Sequence, residues 1–270
     1  MGSLFPPILY KYRSFNDPGW RLLEKGEVFF SSPGRLNDLH DTAAMPLFHR
    51  GTKTQLYRKN LTNLRLVAPT LSRKERRIRA RTLAKTMYAN RNDKRRLELC
   101  RQDIAEQTNK MVGVLSLSGV RDSEPMWAHY ADSHQGFCAG FDTRKFLAFF
   151  DAAFSGGASL SLHHVVYRDK YPELDPFTMS DEGLMLTKLL TKSRAWQYED
   201  EYRILCANRP DFPLDIPLNI ICTVILGARC GSPNRERVIS VLKNRRGDAS
   251  LEVMRPADDR FGLEFDPIAL

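Results

Sequence analysis

Apolar and polar positions alternate through "PILYKYRS", and "EVFFSS" repeats the habit, so the chain opens with two strands. Between them "GWRLLEK" reads as a short helix. Asp17-Pro18 supplies its cap and first-turn proline, and Gly26 closes it. "RLNDLHDTA" then forms a polar loop. Two long helix-forming runs follow, "SRKERRIRARTLAKTMYA" with Ser72 as N-cap and "KRRLELCRQDIAEQTNKM", parted by the turn "NRND". Their apolar stripes are thin: Ile78, Leu83 and Met87 in the first, Leu97, Cys100 and Ile104 in the second. Strand patterns resume in "VGVLSLSGV", "GFCAGFD" and "LHHVVYR", with a helical turn or two at "PMWAHYADS" and a short helix at "KFLAFFDAAF". Ser180 can cap "DEGLMLTKLLTKSRAW". "IICTVILG" is almost wholly apolar and is therefore expected to be buried on both faces. A helix from Ser232-Pro233 to Leu242 and two strands, "ASLEVMRP" and "RFGLEFD", end the chain. The pattern predicts an α+β fold of about eight short strands, mixed and mostly antiparallel. It predicts one domain over residues 1–270, with a basic helical hairpin inserted at 50–111.

Charge changes this picture. The formal net charge of the 270 residues is +9, yet 17 Lys/Arg and only 3 Asp/Glu fall between Arg50 and Arg101. One segment makes the protein basic, and a phosphate-rich partner, RNA or DNA, is its natural complement. Arg73, Lys74, Arg76, Arg77, Arg79 and Arg81 are the candidate contacts. The alternative is a solvated helix face. Tyr57 and Tyr88 are the aromatic residues there, too sparse for base stacking, so backbone contact is the expected mode. No apolar run is long enough for a membrane span. The start "MGSLFPPILY" fits neither a signal peptide nor, with Pro6 at the sixth place, a myristoylation site. Five scattered cysteines without a C-x-x-C spacing read as reduced thiols of a cytoplasmic protein.

Candidate chemistry lies in four places. In "AWQYEDEYRIL", Glu199, Glu201 and Arg203 are two apart, which on a strand puts all three on one face. They are either an ion-pair ladder or two carboxylates with split roles, one stabilising positive charge and one accepting a proton. In "SEPMWAHYADSHQGFCAGFD", Trp127, His129, Tyr130 and His134 gather beside a glycine, as core packing or as a pocket for a flat ring. His129 and His134, five apart, miss the helical zinc spacing, and with Lys11 they suggest a metal-independent nuclease as a further alternative. Lys11 and Arg13 share one face of the first strand and would hold phosphates or line a solvated edge. Asp38, His40 and Asp41 carry metal-ligand chemistry, but turn and cap chemistry explains them, and no metal is expected.

The order "LYKYRS … LLEKGEVFFSSPGRLNDLHD … LSLSGVRDSEPMWAHYADSHQGFCAGFD … KSRAWQYEDEYRIL … VILGARC" resembles the DUF2971 family of uncharacterised bacterial proteins. More distantly, the plan looks like ADP-ribosyltransferases: a cation-bearing first strand, a serine-bearing middle strand and a late E-x-E. That resemblance implies an ADP-ribosyltransferase-like fold and NAD as substrate, with either transfer to an acceptor, nucleic acid included, or hydrolysis, as in a defence or toxin enzyme. It implies that Lys11 or Arg13 contacts the dinucleotide, and that Ser116, Ser118, Trp127 and Tyr130 shape the nicotinamide pocket. Glu201 would bind the ribose 2′-hydroxyl, and Glu199 would be the earlier carboxylate of the pair. This chain carries Lys11 where that superfamily has His or Arg, and Leu117 where Thr is usual.

Overall fold

The strand with no polar face sits where its composition requires. In the computed structural model, which describes residues 5–154, 160–245 and 249–270, Ile221–Leu226 (β10) is an inner strand of an eight-stranded sheet. The Met1-Gly2 start lies outside the described residues. The earlier strands are β1 (Ile8–Arg13), β2 (Glu27–Phe30), β3 (Val112–Ser118), β4 (Phe137–Asp142), β5 (Leu160–His164), β6 (Val166–Arg168), β7 (Thr191–Ser193), β8 (Glu201–Ala207) and β9 (Phe212–Asp215). β11 (Ser250–Pro256) and β12 (Leu263–Ile268) follow β10. The helices are α1 (Asp17–Lys25), α2 (Lys53–Val67), α3 (Arg73–Ala89), α4 (Lys94–Met111), α5 (Glu124–Tyr130), α6 (Thr143–Ala153), α7 (Asp181–Leu189) and α8 (Ser232–Lys243). Among the described residues, no helix is long and apolar enough to cross a membrane.

The chain divides into two compact units. The first comprises Met1–Arg35, Asn109–Tyr167 and Arg194–Leu270; the second comprises Leu36–Thr108 and Arg168–Ser193. The large sheet belongs to the first unit and runs β12-β11-β10-β4-β1-β3-β8-β5. β10 and β11 are parallel, joined through α8, and the other pairs are antiparallel. One face carries the main core, with Leu9, Leu115, Leu117, Phe137, Phe141, Val224 and Ile204 packed under α1, α6 and α8. The other face carries a smaller cluster: Tyr12, Met126, Trp127, Ala131, Cys138, Ile225 and Met254.

Local chemistry sets the helix ends. Asn16, one place before the expected Asp17, caps α1: its side-chain oxygen accepts the Gly19 N–H at 3.0 Å. Gly26 closes α1 at φ 76, and a Cβ there would stand 2.2 Å from the Ile216 carbonyl oxygen. In the second unit Ser72 opens α3 with a reciprocal capping box, its hydroxyl accepting the Glu75 N–H while Glu75 accepts the Ser72 N–H at 2.8 Å. These bonds hold the Glu75 carboxyl below its ordinary range. Ser72→Ala should lower stability by about 0.5–2 kcal/mol, read as an earlier urea midpoint.

The hydrophobic pattern did not predict helix α2. It packs on α3, burying Leu56 and Leu64 from one helix and Ala80 and Ala84 from the other. The expected stripes hold only in part: Met87 and Ile104 are half-buried, whereas Ile78 and Leu83 are exposed, as are Leu97 and Cys100 on α4. On α3 two alanines four apart take the centre of the contact with the leucines of α2, which leaves Ile78 and Leu83 outside it.

Candidate functional site

The acid-bearing stretch does not form one strand. Arg194–Glu199 is a 3-10 helix, Asp200 adopts φ 41, and β8 begins only at Glu201. Glu199 is therefore not on the strand face that Glu201 and Arg203 share. The Asp200 kink is held on both sides. Gly119 N–H donates to the Asp200 carbonyl at 2.8 Å, and His164 Nε2 lies 2.8 Å from Asp200 Oδ1. A Cβ on Gly119 would meet Asp200 Oδ2 at 2.1 Å, so a larger residue there would displace the Asp200 side chain.

Both acids point inward. Glu199 and Glu201 are each 4% exposed, and Arg203 is 0% exposed. Arg203 Nε donates to Glu201 Oε1 at 2.8 Å and Nη2 to Oε2 at 3.0 Å, a fork that engages both carboxylate oxygens. The Glu201 backbone N–H donates to the Tyr167 hydroxyl at 2.8 Å. Burial, reinforced by the Glu201, Glu199 and Asp200 carboxylates, pushes the Tyr167 phenol up, so it keeps its proton. Glu199 Oε1 accepts from the Tyr130 hydroxyl at 2.7 Å, and the Glu199 carbonyl lies 2.6 Å from Ser118 Oγ.

Strand register decides which other candidates join them. Ser118 pairs with both Glu201 and Tyr10, and Ser116 with Arg203, so these residues share a face with the smaller cluster that holds Trp127. Lys11 pairs with Ala139 and Arg13 with Phe137, both in the main core. The two cations therefore leave the sheet on the side opposite Glu201, and the expected convergence of Lys11, Trp127 and Glu201 does not occur. Lys11 Nζ instead donates to the Ser116 carbonyl at 2.5 Å, next to the Tyr10–Ser118 pair. Burial lowers the Arg13 guanidinium, whose Nε has no hydrogen-bond partner among the described residues.

The ring cluster is partly core and partly surface. Trp127 is 0% exposed, meets Tyr12 edge-on at 5.2 Å and donates Nε1–H to the Arg121 carbonyl at 2.9 Å. Tyr198 lies between His129 at 6.3 Å and Trp196 at 5.9 Å, nearer the surface. His134 belongs to a left-handed turn with Asp132 and Ser133, at φ 70, 48 and 52, and its carbonyl accepts the Arg229 N–H. His129 thus packs among the rings while His134 sits in the turn. Asp38 Oδ1 accepts the His40 N–H at 2.9 Å, the turn chemistry expected of it. Among the described residues no three His, Cys, Asp or Glu side chains form a metal-holding group.

In the second unit the basic residues are arrayed along α3. Arg73, Arg77, Arg81 and Lys85 follow each other at intervals of four, all exposed. With about 1.5 Å of rise per residue they make a row about 18 Å long. Neither these four nor Lys74, Arg76 and Arg79 makes an ion pair with a described residue. Tyr88 is already engaged, with Arg91 at 4.1 Å and Lys53 at 5.1 Å over its ring. Sequence reasoning found this charge but not its alignment, and it overlooked a cavity lined by His40, Arg168–Tyr171 and Thr191–Ser193.

The profile of a family described as "Protein of unknown function (DUF2971)" matches residues 126–204. That segment holds Trp127, Tyr130, Glu199, Glu201 and Arg203 and ends before α8; α2, α3 and α4 lie outside it. No curated protein and no solved structure matches the chain.

Proposed function

We propose that this protein binds nucleic acid through the cationic row of α3. One observation carries the reading: Arg73, Arg77, Arg81 and Lys85 stand in line without carboxylate partners among the described residues. Like charges four apart cost a helix roughly 0.2–0.5 kcal/mol per pair. Three such pairs are tolerated in a helix whose acid, Glu75, is occupied in the capping box. A polyanion removes that repulsion and gains counterion release in the same step. With Tyr88 under Arg91 and Lys53, binding falls on the phosphate backbone and sequence preference is weak. Five free cysteines suit the reducing cytoplasm, where nucleic acid is at hand.

The test is fluorescence anisotropy of labelled single- and double-stranded oligonucleotides across a salt series. Affinity should fall steeply with salt. The triple variant Arg73→Glu/Arg77→Glu/Arg81→Glu should flatten the log–log slope by about 0.7–0.9 for each phosphate it no longer neutralises, and weaken binding at least about tenfold. A slope identical in wild type and variant rejects the reading.

A second reading, an ADP-ribosyltransferase-like fold acting on NAD, draws on one observation: Ser118, Tyr130 and Glu199 form a single bonded cluster beside Glu201. A carboxylate fixed near the ribose would stabilise positive charge building on the sugar. Against it stand the occupied oxygens of Glu201, the buried Trp127 and the opposite placement of Lys11 and Arg13. Incubation with NAD decides it: nicotinamide release that vanishes in Glu199→Gln supports transfer or hydrolysis, and no release from wild type removes it.

A further inference from the structure

The cavity of the second unit has no part in the functions above. Its volume is about 400 Å³, and three separate chain segments supply its walls: His40, Arg168–Tyr171 and Thr191–Ser193. Its charge is lopsided, with Arg168, Lys170 and Lys192 against Asp169. Lys192 is 5% exposed, a buried ammonium in the cavity wall. Arg168 and Lys170 are exposed and make no ion pair with a described residue. His40 Nδ1 lies 2.7 Å from the Tyr171 hydroxyl, and the two rings stand 6.2 Å apart with a tilt of 52° between them. The Tyr171 ring remains half open to solvent.

We propose that this cavity binds a nucleotide bearing a terminal phosphomonoester. The two exposed cations, Arg168 and Lys170, match a charge near −2 on a phosphomonoester better than the single charge of a carboxylate. Arg168 presents the planar fork that grips a phosphoryl group, Lys170 acts as a point charge beside it, and the buried Lys192 adds positive potential to the wall. The half-open Tyr171 ring, tilted 52° from His40, offers a flat base one stacking face. The volume falls in the range of small-ligand sites. The same chemistry belongs to a free nucleoside monophosphate and to the 5′-phosphorylated end of a strand held on α3. The strand-end source rests on the nucleic-acid reading, and the free-nucleotide source does not.

Calorimetry of the intact chain with adenosine 5′-monophosphate and with adenosine tests the cavity directly. The monophosphate should bind at least about tenfold more tightly. Arg168→Ala/Lys170→Ala, both at exposed positions, should erase that difference with the far-ultraviolet dichroism unchanged. The α3 triple reversal should leave it intact. Anisotropy with one oligonucleotide carrying either a 5′-phosphate or a 5′-hydroxyl then separates the sources. A gain for the phosphorylated strand assigns the strand end, and a gain confined to the free nucleotide assigns the small molecule. Equal binding of monophosphate and adenosine, or a difference that survives the Arg168/Lys170 variant, overturns the proposal. Failure of every strand to bind overturns only the nucleic-acid reading, because the calorimetry still stands.

Discussion

Glu201→Ala is expected to destabilise the protein by about 3–5 kcal/mol, the cost of removing one partner from a buried ion pair. Arg203 is fully buried, and two of its donors end on the two oxygens of Glu201. Without that carboxylate the guanidinium keeps its desolvation cost and loses its bidentate acceptor. Glu201→Gln should fall between, because the amide offers one acceptor oxygen and turns an NH₂ towards the fork. The double variant Glu201→Met/Arg203→Met should recover most of the loss, since an apolar pair of similar volume often replaces a buried ion pair at little cost. Urea unfolding followed by far-ultraviolet dichroism gives all three values. A Glu201→Ala protein within about 0.5 kcal/mol of wild type would mean that the carboxylate is not structural, and a chemical role for it would return.

The elements legible in the sequence are those set by local chemistry. Gly26 at positive φ, the Ser72 and Ser180 caps and the apolar run of β10 depend on neighbours within a few residues. The split between Lys11 and its flanking tyrosines was also readable, because strand parity is local. Whether Lys11 shares a face with Glu201 was not. That depends on the pairing of Tyr10 with Ser118 and of Ser118 with Glu201, a register between segments far apart in the chain. The acid doublet misled for a narrower reason. Asp200 at φ 41 delays the strand by two residues and moves Glu199 into a 3-10 helix. Asp is among the few residues that tolerate this conformation, but nothing in "YEDEY" obliges it to do so. On α3 the alanines are buried and Ile78 and Leu83 are exposed, an outcome fixed by where α2 packs. The cavity of the second unit needs three distant segments, and the local signals of its residues, His40 beside Asp38 and Lys192 before the acid-bearing stretch, do not indicate that they meet.

Trp127→Ala should cost about 3–5 kcal/mol, as expected for emptying the site of a large buried ring. The side chain is enclosed by Tyr12, Met126, Ala131, Cys138, Ile225 and Met254, so few of its neighbours can collapse without disturbing β1, β4 or β10. Trp127→Phe separates the ring from its polar edge. It keeps most of the packing and the edge-on approach to Tyr12 but drops the 2.9 Å bond to the Arg121 carbonyl. Leaving that acceptor unsatisfied should cost about 1–3 kcal/mol. The two variants also divide the roles open to this residue. A wall for a flat ligand must present a face, and a ring with no exposed surface presents none. Both variants should therefore lose stability in proportion to what they remove and leave the affinity for adenosine 5′-monophosphate unchanged while folded. Chemical denaturation read by far-ultraviolet dichroism measures the first effect, and calorimetry below the transition measures the second. A Trp127→Phe protein of wild-type stability with impaired nucleotide binding would move this tryptophan from the core to a ligand site, because a purely structural ring can weaken binding only by weakening the fold.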